Sequence, residues 1–144
     1  MNRHLLSMAI LFSAALTWFA TASFALPPCP TSGFFNNCYG SRTLSNGSRY
    51  TGEFKDNKAN GQGEVIFENG DIYVGTLKNN KGEGFGSYRF RNGAVYIGNF
   101  KEYKYHGKGT FYWPSGAKFE GEYINNEQNG PGRMTYADGR VVDG

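Results

Sequence analysis

Cys29 and Cys38 are the only cysteines of the chain, nine residues apart. No histidine or third cysteine lies near enough to complete a metal site, so two free thiols, a bond to another chain or an internal disulfide remain. In a chain bound for an oxidising compartment the internal disulfide is the favoured reading. The two histidines are His4 and His106. His106 precedes Gly107 in a polar stretch and reads as a solvated turn residue rather than a general base. Gly107-Lys108-Gly109-Thr110 imitates part of a phosphate loop. It lacks the glycine six residues before the lysine and the helix that must follow. Glu53, Glu64, Glu120 and Glu122 alternate with rings and glycines, which places them on a polar strand face as solvated charges rather than as a glycosidase pair. There is no Gly-x-Ser-x-Gly turn for a nucleophile. Asn46-Gly47-Ser48 fits a glycosylation acceptor, but it is also a turn that the rest of the chain repeats. No catalytic residue, cofactor site or metal site is expected.

The elements that would have to position any chemistry are short strands. The 144 residues hold 21 glycines, 12 phenylalanines, 10 tyrosines and 2 tryptophans, a balance that opposes a helical bundle. Rings and glycine suit strands, turns and close backbone contacts. A formal net charge of +3 is too mild for a nucleic-acid partner. Residues 1–25 have the layout of a secretory signal peptide: Arg3, an uncharged run from Leu5 to Ala20, then small residues through Ser23 and Ala25. Export to the periplasm or the outside follows, with the mature chain starting at Leu26.

From Tyr50 the chain repeats every 23 residues, as units 50–72, 73–95, 96–118 and 119–141, with the start of a fifth after them. Gly52, Gly75, Gly98 and Gly121 are equivalent, as are Gly61, Gly84, Gly107 and Gly130. Gly63, Gly86, Gly109 and Gly132 form a third set, and Gly70, Gly93, Gly116 and Gly139 a fourth. The rings repeat too. Tyr50, Tyr73, Tyr96 and Phe119 open the units, and Phe54, Phe100 and Tyr123 follow four residues on, with Leu77 in the second unit. Tyr88 and Phe111 share one later position, and Phe67, Phe90, Trp113 and Tyr136 share the next. Within a unit the period is two, so each reads as a β-hairpin with a polar turn such as Asp56–Asn60, joined to the next by a tight turn such as Asn69-Gly70. Glycine inside a strand normally weakens it. Here the expected compensation is close approach, with a ring of one strand lying over the bare backbone of a glycine. These thirteen aromatic side chains are therefore the expected core. Residues 26–49 read as a degenerate opening hairpin, closed by the Cys29–Cys38 bond. The fold class is all-β: an elongated antiparallel sheet of stacked hairpins, in which no unit is stable without its neighbour.

The run Tyr50-x-Gly52-Glu53-Phe54-Lys55, Asn60-Gly61-Gln62-Gly63 and Asn69-Gly70, with its three companions, resembles a MORN repeat. Thr76-Leu77 and Asn99-Phe100 depart from the usual acidic-aromatic pair, and Pro131 interrupts the last Gly-x-Gly step. The resemblance implies a non-catalytic role in protein–protein interaction, scaffolding or association with membrane lipids. The leading expectation is thus an exported binding module, whose surface is the groove of rings and glycines or the open sheet edges. Its partner would be another protein, or a second copy at the C-terminal edge. The second expectation is an anionic membrane surface, met by Lys55, Lys58, Lys78, Lys81, Lys101, Lys104 and Lys108 near the turns, with Glu53, Asp56, Glu83 and Glu102 diluting them. A third is carbohydrate stacked on open rings, which rings packed flat on glycine would disfavour.

Overall fold

Two kinds of turn alternate along the chain, and between them they set every strand. In the first kind two consecutive residues both have positive φ: Asp56 and Asn57 at 49° and 64°, Asn79 and Asn80 at 49° and 70°, and Asn125 and Asn126 at 49° and 73°. This is the hairpin turn whose twist matches that of the flanking strands, and Asn and Asp tolerate it best. It is shorter than the five-residue polar turn expected over Asp56–Asn60. The strand resumes at Lys58, and Ala59 is buried. In the second kind only the glycine has positive φ, 89° at Gly70, while the Asn69 side chain accepts from the Asp71 amide at 2.9 Å. Asn46, Asn92 and Asp138 do the same for the residue two positions on. Asn-Gly therefore works here as an Asx turn closed by glycine rather than as a pair of positive φ values.

The computed structural model describes residues 25–144, so the expected leader lies, all but Ala25, outside the described residues. The strands are β1 (Cys38–Thr43), β2 (Arg49–Lys55), β3 (Lys58–Ile66), β4 (Ile72–Lys78) and β5 (Lys81–Arg89). They continue as β6 (Val95–Lys101), β7 (Lys104–Tyr112), β8 (Lys118–Ile124), β9 (Glu127–Thr135) and β10 (Val141–Asp143). All lie in one antiparallel sheet in sequence order from β1 to β10.

The register brings the glycines face to face. Gly40, Gly52, Gly63, Gly75, Gly86, Gly98, Gly109, Gly121 and Gly132 form one row across nine strands. The ring that opens each unit lies over this row. A Cβ on Gly52 would stand 2.5 Å from the Tyr50 hydroxyl, and one on Gly75 2.8 Å from that of Tyr73. Tyr50, Tyr73 and Tyr96 are fully buried, and their hydroxyls donate to the carbonyls of Glu53, Thr76 and Asn99 at 2.7, 2.7 and 3.1 Å. Gly61, Gly84, Gly107 and Gly130 have another reason to be glycine. They lie where the pairing slips after Gly52, Gly75, Gly98 and Gly121, and all have positive φ. A Cβ on Gly84 or Gly130 would meet nothing within 4 Å, so close approach does not explain those two.

A single sheet buries a core only by curling its ring-bearing face inward. Tyr73 meets Phe100 edge-on at 5.0 Å, and Tyr96 meets Tyr123 at 5.1 Å, each across two strands. Phe54, Leu77, Phe100 and Tyr123 are buried with the opening tyrosines. Tyr136, expected in the core, is 37 % exposed beside the Arg140 guanidinium.

The opening segment departs from a hairpin. Cys29 and Cys38 are bonded, with Cα atoms 4.9 Å apart. However, the Cys29 amide donates to the Tyr39 carbonyl and the Tyr39 amide to Pro27, so this segment runs parallel to β1. Pro27, Pro28 and Pro30 leave Cys29 as the one amide donor of that stretch, which rules out an ordinary ladder. Phe35 then closes the end of the core edge-on to Phe54 at 4.9 Å, under the Arg42 guanidinium.

An aromatic cleft on the inner face

The rings that end each unit stay partly open. Phe67 and Phe90 follow β3 and β5 at the glycine turns, Tyr88 lies in β5, Tyr105 in β7 and Tyr103 in the preceding turn. With Asn126 they line a cleft of about 430 Å³. Phe67 lies 5.6 Å from both Tyr88 and Tyr103, and Tyr88 lies 4.8 Å from Phe90. The row continues through Phe90–Phe111 at 5.9 Å and Phe111–Trp113 at 4.8 Å. The structure thus divides the expected core rings. Tyr50, Phe54, Tyr73, Tyr96, Phe100 and Tyr123 are buried, while Phe67, Tyr88, Phe90, Phe111, Trp113 and Phe119 are half-buried.

Asp71, 8 % exposed, supports this cleft from below. Its carboxylate accepts from the Tyr88 hydroxyl at 2.8 Å, the Arg91 amide at 2.9 Å and the Asn69 side-chain amide at 2.9 Å. Burial alone would raise its pKa, but these three donors together hold it below the ordinary carboxylate value. Burial and the neighbouring Asp71 push the Tyr88 hydroxyl the other way, far above its ordinary range. The hydrogen bond between them fixes the Tyr88 ring at the cleft.

Tyr103 breaks a rule that the other units keep. At its position stand Asn57, Asn80 and Asn126, whose side chains accept from the amides of Phe35, Ala59 and Tyr105 at 3.1, 2.8 and 2.9 Å. Each such bond staples one hairpin to the one before it. Tyr103 cannot accept in this way, yet it holds φ at 64°, a costly value for a bulky residue. Its ring lies on Gly82, where a Cβ would meet it at 2.6 Å, and burial pushes its hydroxyl up to about 12. Gly82 replaces the Ala59 and Tyr105 of neighbouring units. The exchange of a small residue for a ring, compensated 21 residues later, is visible on aligning the units, although the ring repeat alone misses Tyr103 and Tyr105.

The remaining sequence candidates are scattered. Lys55 faces Lys58, Lys78 faces Lys81 and Lys101 faces Lys104 across the short turns, while Lys108 lies within β7 opposite Glu122. Lys81 is paired with Glu102 at 2.9 Å. His106 lies within β7 rather than in a turn, partly buried, and its Nδ1 has no partner. Among the described residues, no group of three His, Cys, Asp or Glu side chains is placed to hold a metal. Also among them, no helix is long and apolar enough to cross a membrane.

A family model described as the MORN repeat matches residues 50–72, 73–95, 96–118 and 119–139, well over half of the chain. Three of its boundaries coincide with those of the periodicity, and the fourth match stops two residues earlier. No curated protein matches the chain.

Proposed function

The chain belongs to the MORN-repeat family, whose repeats are generally associated with protein or membrane binding, and from that premise we propose an exported, non-enzymatic module that docks a partner protein in its inner aromatic cleft. The observation that carries this reading is the continuous row of half-open rings from Phe67 to Trp113, standing on a fully buried ladder. Rigid rings that keep one face free lose little conformational freedom on binding, and aromatic anchors dominate protein interfaces. The Cys29–Cys38 bond supports export, to the periplasm or the outside, because such bonds persist in oxidising compartments. Capture from the organism's own envelope extract, with the protein and its Phe90→Ser and Tyr103→Asn variants as bait, tests the proposal. A partner held by the parent and lost with both variants supports it. Equal capture by all three contradicts it.

A membrane-surface role has one observation of its own: three facing lysine pairs along the margin of the short turns. Each such lysine near an anionic surface contributes about 1 kcal/mol, reduced by screening and by acids such as Glu102. Sedimentation with phosphatidylserine vesicles, lost on adding salt, would favour it over the cleft.

A further inference from the structure

Phe85, in β5, is 66 % exposed, more than any other large apolar side chain among the described residues. It points away from the ring ladder, on the outer face. The equivalent residues of the other units are Gln62, Lys108 and Pro131, so the repeat does not require a ring there. Phe85 stands opposite Asn99 and forms one wall of a shallow cleft of about 510 Å³, floored by the backbones of Gly98, Gly109 and Gly121. Ile97 extends the apolar wall, and Lys108, Thr110 and Glu122 close the other side.

We propose that this outer cleft is a second binding site, separate from the inner one, and that it takes a neutral oligosaccharide. A sugar ring presents a face of C–H groups, which stacks on an exposed aromatic face, and a rim of hydroxyls that each donate and accept. The cleft matches both features. Asn99 and Thr110 can donate and accept, Lys108 donates and Glu122 accepts. The charges balance: Lys108 faces Glu122, and Glu120 is paired with Lys118 at 2.9 Å. That balance favours a neutral ligand over a polyanion. A peptide fits less well. β5, β6 and β7 are interior strands, hydrogen-bonded on both sides, and offer no backbone edge to an extended chain. The tyrosines that open the units do not compete for sugar, because Tyr50, Tyr73 and Tyr96 are sealed onto glycines.

Residue-resolved NMR titration with cellotetraose, chitotetraose and maltotetraose is the test. At least one of the three shifts the amides of Phe85, Asn99, Lys108 and Glu122. Phe85→Gln, which installs the residue of the first unit, weakens that sugar about tenfold at an unchanged melting curve. Tyr103→Asn, in the other cleft, leaves sugar binding unchanged. The proposal is overturned if none of the three sugars shifts these amides at millimolar concentration, or if the shifts fall on the inner face. It is also overturned if Phe85→Gln binds as well as the parent, or if an unstructured peptide shifts these amides and no sugar does.

Discussion

The two faces of this sheet come from the same strands but obey different constraints. Inward, the position that opens each unit holds nearly the same residue throughout: Tyr50, Tyr73, Tyr96 and Phe119 stand over facing glycines. Outward, the equivalent positions carry Gln62, Phe85, Lys108 and Pro131. The inward residues are held by contacts with no slack, since a ring and two bare backbones already fill the space. The outward residues meet solvent, so packing does not fix their identity. The repeat therefore separates positions fixed by packing from positions free to vary by the period of two, and partly open inner rings such as Phe90 lie at the boundary between them.

The largest effect should come from filling the inward space. Gly98→Ala places a Cβ 2.5 Å from the Gly109 Cα and 2.6 Å from the Lys108 carbonyl oxygen, backbone atoms of a neighbouring strand that cannot step aside. A loss of about 3 kcal/mol in urea unfolding is expected. A loss below about 0.5 kcal/mol would erase the distinction between the faces. Replacing both Cys29 and Cys38 by serine should cost about 2–3 kcal/mol by the same assay, because it frees the segment that runs along β1. Tyr73→Phe keeps the ring and removes only the hydroxyl that donates to Thr76, at a cost of about 1 kcal/mol. The acid limb of stability should then carry the Asp71 signature. Its folded pKa lies below the ordinary 3.8, so its contribution is fully present above about pH 5 and is lost as pH falls through the lowered value. Asp71→Asn should flatten that limb in pH-dependent denaturation. The smallest effect belongs to the outer face, where Phe85→Gln should change stability by less than about 0.5 kcal/mol.

Much of this was legible in the residues. The period, the glycine rows and the opening rings follow from strict spacing, because each position meets the same neighbour in every unit. The turns were harder to read. Asp56-Asn57 and Asn69-Gly70 share a composition, yet only register distinguishes a two-residue hairpin turn from an Asx turn closed by glycine. The opening segment reads as a degenerate hairpin closed by its two cysteines, but its prolines remove the amides that a hairpin needs. The inner cleft was half hidden for another reason. Phe67, Tyr88 and Phe90 stood out as repeat rings, whereas Tyr103 sits at a turn position where the other units have asparagine. Its role is set by the hole that Gly82 leaves in the hairpin before it, a contact between units that spacing within one unit does not show.

Photo-crosslinking from single positions tests the proposed placement of partner binding most directly. A benzoyl-phenylalanine at Phe90, in the inner cleft, and another at Ser87, on the outer face of the same strand region, are irradiated in the organism's envelope extract. A discrete protein adduct from position 90 and none from position 87 is the expected result. No adduct at 90, or equal adducts at both, would contradict the assignment of partner binding to the inner face.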